Sequence, residues 1–289
     1  MTLAESYDYC RKVTRTRARN FYYAFVLLDR PRRDAICSIY AFMRRCDDIT
    51  DEVGSGSAGE RRKLLDDWRG QMESALDGRM PEHKLWPAFA ETAARYHIPK
   101  QYFHEMVDGV GSDLDRNQVE TYAELARYCY QVASVAGLSA IHIFGFQSPD
   151  APALAEKCGI AFQLTNILRD VREDALAGRV YLPREDMDRF GVRAEELTSG
   201  PETDRFRQLM RFETVRARRC YEESRPLVGM VDPSCRRALS ALIRIYETLL
   251  DRIAEADYNV LRQRVRLSAM EKTWILVRAF GHASPIPRN

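Results

Sequence analysis

Lysine is scarce in this chain of 289 residues, and neither sign of charge prevails. Lys+Arg total 44 against 42 Asp+Glu, a formal net charge of +2. A near-neutral balance removes the electrostatic argument for nucleic-acid binding. The seven cysteines (Cys10, Cys37, Cys46, Cys129, Cys158, Cys220, Cys235) are odd in number, and none sits in a CxxC pair. Zinc-ligand spacing and a disulfide framework therefore lack support, and reduced thiols in a cytoplasmic protein are expected. The opening MTLAESYDYC carries acids early and no apolar run, which argues against a secretory signal. With 15 Gly and 12 Pro the chain is not collagen-like or of low complexity, and 45% hydrophobic residues exclude general disorder. Convincing strand alternation is missing throughout, apart from a short extended piece at Arg179–Leu182.

What is present is helix. Only six of the 44 basic residues are lysine, so 38 are arginine. Arginine grips carboxylates and phosphates with two parallel hydrogen bonds, although a GC-rich genome produces the same skew. Pro31 stands at a helix start with Asp29 placed to cap it, and apolar residues follow at helical spacing through AICSIYAFMRRCDDITDEV. Further helices are predicted over 60–76, 84–96, 99–115, 121–146, 151–177, 203–231, 233–257 and 268–280. From Tyr128 to Pro149 no charged side chain occurs, about the length of a membrane span. Its Gln131, Ser134, Ser139, His142, Gln147, Gly137 and Gly145 instead suggest a helix buried in a bundle, with small residues admitting close neighbours. No long linker or repeat divides the chain, so a single all-α domain over 1–289 is expected. Gly54-Ser55-Gly56-Ser57-Ala58-Gly59 spells GxGxxG but follows an Asp-rich helix end rather than a strand, and reads as a connector.

Two clusters carry chemistry. In Arg44-Arg45-Cys46-Asp47-Asp48-Ile49-Thr50-Asp51-Glu52, Asp47 and Asp51 are one helical turn apart, about 6 Å along one face. Asp48 and Glu52 form a second pair rotated from it. In Gln163 through Asp174, Asn166, Asp170 and Asp174 recur every fourth residue, with Gln163 one turn earlier. Ile167, Leu168 and Val171 between them belong to a buried face. Stacked carboxylates beside a core are costly unless cations compensate. Hard oxygen ligands without His or Cys select Mg²⁺, Mn²⁺ or Ca²⁺, and Mg²⁺ completes its shell with water and phosphate oxygens. The blander reading of the first cluster is a solvated helix end with an Arg44–Asp48 ion pair.

In these clusters and the segments around them, the chain resembles the squalene/phytoene synthases, the head-to-head branch of the isoprenoid synthases. The resemblance runs through Asn20-Phe21-Tyr22-Tyr23-Ala24-Phe25, Ile39 to Asp51, Tyr128 to Gly137, the QLTNILRDVRED segment from Gln163, and Arg179-Val180-Tyr181-Leu182-Pro183. It implies an all-α isoprenoid-synthase bundle around a central prenyl cavity. It further implies Mg²⁺ (alternatively Mn²⁺) on Asp47, Asp51, Asn166, Asp170 and Asp174. Arg44, Gln163 and Arg169 would contact diphosphate or orient a metal ligand, and Phe21, Tyr40, Val132 and Gly137 would line the prenyl channel. Tyr128, Tyr181 and Tyr246 match positions near the reacting carbons or the diphosphate. Tyr128 joins the four Asp as a catalytic candidate, and Asp113 is a further one. Arg262, Arg264, Arg266 and Lys272 either close over phosphates or form a solvated face. Phe21, Phe25, Tyr40 and Ala161 are candidates for setting channel depth. The family often has Ser or a second small polar residue before its SF pair. Here Ala18-Arg19-Asn20 stands instead, which leaves Arg17, Arg19 and Asn20 open as diphosphate contacts.

FYYAF and the length look closest to the bacterial presqualene diphosphate synthases of the hopanoid route, so farnesyl diphosphate is the first-choice substrate. Phytoene synthesis from geranylgeranyl diphosphate is the alternative. A complete squalene synthase would also need NADPH, which is not expected. No independent nucleotide motif is present, but the family's NADPH site is not a Rossmann unit. Assembly-factor relatives that lost the acidic ligands are the non-enzyme alternative, disfavoured because all five metal positions carry oxygen. A greasy substrate and product imply peripheral contact with the inner membrane face from the cytoplasm, and downstream isoprenoid enzymes as partners.

Overall fold

The computed structural model describes residues 1–18, 21–51, 57–115 and 117–281, with the backbone alone at 51, 199 and 279–281. Fifteen α-helices form among them. The first eight are α1 (Leu3–Arg17), α2 (Phe21–Phe25), α3 (Arg30–Asp51), α4 (Ala58–Leu76), α5 (Trp86–Arg95), α6 (Lys100–Ser112), α7 (Tyr122–Cys129) and α8 (Val135–Phe144). Then follow α9 (Ala151–Leu176), α10 (Arg184–Phe190), α11 (Glu196–Ser199), α12 (Asp204–Ser224), α13 (Leu227–Met230), α14 (Arg236–Glu255) and α15 (Ala269–Gly281). The helical expectation therefore holds, and most boundaries agree within a few residues.

Capping residues set several starts. Asp29 accepts from the backbone N–H of Arg32 at 2.9 Å, as its place before Pro31 predicts. Ser57 and Glu60 form a reciprocal capping box on α4, so the end of the glycine-serine connector is a helix start. Gly54–Gly56 lie outside the described residues. The extended piece at 179–182 makes one parallel bridge, Val180 to Gln118, rather than a strand of a sheet.

Three differences have physical causes. Helix α1 shows little apolar periodicity because its inward face is polar: Ser6 and Thr14 are fully buried, Thr14 donating to the Cys10 and Cys37 carbonyls. The 203–231 stretch breaks after Ser224, with Pro226 preceding α13. The uncharged stretch is not one continuous α-helix. Tyr130–Ser134 form a π turn between α7 and α8. There α6 and α9 press close: a Cβ on Gly109 would lie 2.6 Å from Gln131 Cβ, and one on Gly159 would lie 2.4 Å from Ser134 Cα. Among the described residues no helix is long and apolar enough to cross a membrane. All seven cysteines are free.

The buried side chains form two clusters. One gathers α1, α3, α4, α5, α6 and α8, around Phe42, Trp86, Phe89 and Phe103. The other gathers α7, α10, α12 and α14 with the C-terminal half of α9. Phe21, Leu27, Val132, Phe162 and Ile243 pack against both. The seam between the clusters holds the site.

Candidate active site

A cavity of about 270 Å³ opens in this seam. Its polar mouth is made by Arg44 and Asp47 of α3 and by Gln163 and Asn166 of α9. Its walls are apolar: Phe21 and Phe25 from α2, Ile36, Tyr40 and Met43 from α3, Val132 from the π turn and Phe162 from α9. On α8, Ala136, Gly137 and Ala140 line it, so their small size makes room for a ligand as well as for neighbouring helices. From Asp47 to Ile36 on α3, and from Asn166 to Ala155 on α9, the lining spans eleven residues, about 16 Å of helix.

The helical spacing read from the sequence thus places Arg44, Asp47, Gln163 and Asn166 together, with Phe21, Tyr40, Val132 and Gly137 in the wall. Arg44 Nε donates to Asp48 at 2.8 Å, so the i, i+4 ion pair is real, while Asp47 faces the cavity. Asp51 ends α3, and its side chain lies outside the described residues, as do Arg19 and Asn20 altogether. Arg17 is exposed at the end of α1. Ala161 is fully buried in the second cluster and does not line the cavity, because position 161 falls on the face of α9 turned to α12. Arg172 is exposed, and Arg45 is exposed near Tyr9 and His83, away from the mouth.

Further along α9 the polar stripe leaves the cavity lining. Asp170 accepts from Arg169 Nε at 2.7 Å and from Arg264 Nε and Nη2 at 2.7 and 2.8 Å. Two guanidiniums thus bracket one carboxylate. Arg264 comes from the segment before α15, so at least this member of the C-terminal basic run reaches the site. Burial pushes Asp174 up to about 7, and the charges of Asp170 and Asp113 add to the rise. Asp113 accepts from the Tyr128 hydroxyl at 3.0 Å and from the Tyr181 hydroxyl at 2.9 Å, and the two rings stack 4.8 Å apart. Burial raises both phenols, so they stay protonated and act as donors. Tyr246 is buried against Phe21 and Phe162, and its phenol is likewise pushed up by burial. Burial raises Tyr40 to about 12.

The residues suit a hard divalent cation in donor chemistry. Their oxygens are carboxylate and amide, and the half-buried Asp174 carboxylate is raised by burial, Asp170 and Asp113 against the opposing pull of Arg179 and Arg169. Among the described residues, however, no three His, Cys, Asp or Glu side chains stand close enough to share one ion.

This arrangement of helices and acidic segments matches known proteins. The family model described as Squalene/phytoene synthase matches residues 14–271. The chain belongs to the squalene/phytoene synthase family. Its members are prenyltransferases acting on prenyl diphosphates, and this chain is a prenyltransferase. It is 34% identical to the phytoene synthase of Arthrospira platensis, over 95% of this chain and 92% of that one. It is 35% identical to the 15-cis-phytoene synthase of Synechococcus elongatus, over 94% and 91%. The crystal structure of a dehydrosqualene synthase with ligand superposes with a TM-score of 0.89 at 30% identity, covering 96% of each chain. Squalene synthase HpnC from Alicyclobacillus acidocaldarius gives 0.81 at 27%, over 89% and 96%.

Within this family member, sequence reasoning missed Phe162, Met43 and Leu242 of the cavity wall and the grip of Arg264 on Asp170. The wall residues read as ordinary core. The Arg264 contact joins positions 94 apart, for which one sequence carries no signal.

Proposed function

We propose that this protein condenses two molecules of geranylgeranyl diphosphate head to head to phytoene. The observation that carries a head-to-head prenyl transfer is the junction itself. An apolar cavity some 16 Å long ends at Arg44, Asp47, Gln163 and Asn166, with Arg169, Asp170, Asp174 and Arg264 beyond. The C20 substrate is supported by the curated relatives, which carry phytoene synthase names at 33–35% identity over at least 94% of this chain. They favour the alternative over the presqualene diphosphate product expected from FYYAF and chain length. The C15 reading keeps the likeness to the dehydrosqualene synthase and squalene synthase HpnC structures as its support.

In this reading Asp47, Asp51, Asn166, Asp170 and Asp174 hold Mg²⁺ (or Mn²⁺), which when bound neutralises the departing diphosphate. Arg44 and Gln163 hold the diphosphate at the mouth, and Arg169 and Arg264 add positive charge beside it. The walls keep water from the allylic cation, and the faces of Phe21, Tyr40 and Phe162 stabilise it. C1′ of this donor then bonds to the C2=C3 alkene of the second, and loss of a proton closes a cyclopropane; departure of the second diphosphate, rearrangement and opening of the ring, and loss of a second proton then give phytoene. Tyr128 and Tyr181 are held as neutral donors to Asp113, so released diphosphate is the better proton acceptor.

The test is a product assay. Purified protein with Mg²⁺ and no NADPH receives geranylgeranyl or farnesyl diphosphate, and the products are identified by mass spectrometry. Phytoene from the C20 substrate is expected. A C30 product alone would transfer the assignment to the C15 reading. Asp47→Asn and Asp170→Asn should each lower diphosphate release by about 10²–10³-fold. Unchanged turnover in both would refute the metal assignment.

A further inference from the structure

An ionised carboxylate offers about four lone-pair sites to its partners. On Asp170 donors fill every one of them. Arg169 Nε and Arg264 Nε each donate to Oδ1 at 2.7 Å. Arg264 Nη2 donates to Oδ2 at 2.8 Å, and Arg169 Nη2 donates to that same oxygen. Each guanidinium thus grips the carboxylate with both prongs of its fork. A divalent cation needs a lone pair of these same oxygens, so it joins Asp170 only when a fork lets go.

The two forks are not held equally. Arg169 is the neighbour of Asp170 on α9, and its side chain is 14% exposed against 36% for Arg264. Arg264 rises from the segment between α14 and α15, and that segment is pinned on both sides of it. Leu261 and Leu267 are buried, and Arg262 Nε reaches the buried Glu202 carboxylate at 3.2 Å. Arg264 is therefore the fork free to leave, by a swing of its own side chain above a backbone that stays in place. A guanidinium gives up one anion most easily for another of matching shape, and a diphosphate presents the same paired oxygens.

We propose that Arg264 is an exchangeable counter-ion of Asp170. It holds the carboxylate until a diphosphate group draws its fork away, and so admits the divalent cation to Asp170 together with diphosphate rather than ahead of it. Arg169 stays in place throughout. The exchange keeps Asp170 compensated at every stage, which matters for a carboxylate only 16% exposed. Arg262 has no such part, since its partner Glu202 anchors the segment. The exchange rests on the prenyl diphosphate reading, and its test separates the two.

Mn²⁺ is the probe, and no turnover is needed. Equilibrium dialysis of the full chain against Mn²⁺, with or without inorganic diphosphate in both chambers, counts the cation held by the protein. The parent is expected to bind Mn²⁺ alone at least tenfold more weakly than Mn²⁺ with diphosphate. R264M should bind Mn²⁺ alone at least fivefold more tightly than the parent, with an unchanged circular dichroism spectrum. It should also lose at least threefold of the gain that diphosphate brings, and by reciprocity the gain that Mn²⁺ brings to diphosphate binding should fall by the same factor. R264K keeps the positive charge but replaces the fork by a point donor, so its Mn²⁺ affinity should move from the parent's toward that of R264M. An R264M affinity for Mn²⁺ alone equal to the parent's overturns the proposal. So does an R264K affinity equal to the parent's, which would leave net charge as the whole effect. Tight binding of Mn²⁺ by the parent without diphosphate overturns it too, with the metal assignment intact. No Mn²⁺ on any of the three proteins, even with diphosphate, would refute the metal assignment itself and the exchange with it.

Discussion

Glu213 and Asp186 are both buried and both receive the Arg216 guanidinium, at 2.7 and 2.9 Å, while that guanidinium stacks on Tyr122. One cation for two carboxylates leaves a surplus negative charge, and burial, outweighing Arg216, pushes Glu213 up to about 7. Because the folded value lies above the ordinary 4.5, protonation favours the folded state. That stabilisation is complete below about pH 4.5 and is lost as pH rises through about 7. Glu213→Gln should therefore gain stability relative to the parent between pH 5.5 and pH 8, on the order of 1–3 kcal/mol. Melting temperatures of both proteins at the two pH values test this, and parallel pH slopes would contradict it. Such a trio is not readable from one sequence, since positions 186 and 213 look like ordinary surface acids on separate helices. Asp47, Asn166, Asp170 and Asp174 were legible as candidates, because oxygen-bearing side chains repeated turn by turn beside a buried face such as Ile167, Leu168 and Val171 are costly to fold without a compensating cation.

Among elements, the π turn between α7 and α8 shows what spacing cannot reveal. The sequence 121–146 reads as one helix, but close approach of α6 and α9 at Gly109 and Gly159 coincides with a widened turn that carries Val132 into the cavity wall. Gly159→Ala should cost about 1–3 kcal/mol, because its Cβ would meet the Ser134 backbone at 2.4 Å and neither helix can yield freely. Gly70→Ala on α4, with nothing within 4 Å of the added carbon, should instead stabilise by up to about 1 kcal/mol. Thermal denaturation of the two variants separates close packing from helix propensity. Equal effects would mean that the contact at Ser134 is not the determinant. The segment before α15 is the counterpart at the other wall: Arg264 is drawn to Asp170 by charge, yet its three arginines looked equally suited to solvent.

For the whole molecule, the cavity exists because two hydrophobic clusters meet along a seam they do not fill. Ala136, Gly137 and Ala140 keep that seam open on one side. Ala140→Phe should narrow the end remote from Asn166 and cut turnover of the C20 substrate at least tenfold more than that of the C15 substrate, read from product ratios in competition. An equal loss with both would place the length determinant elsewhere. Helix-rich composition, capping residues and the two acidic repeats were determined by the sequence alone, because each depends on neighbours within one or two turns. So was the family, since its motifs are short contiguous runs. The tertiary structure decided what depends on distant pairs: the Asp113–Tyr128–Tyr181 cluster, the hold of Arg264 on Asp170, the exclusion of Ala161 from the cavity, and the exposure of Met270, Trp274 and Val277 on α15. A periodic apolar pattern states that a helix has a buried face, but a helix apolar on two faces leaves open which one the fold will cover.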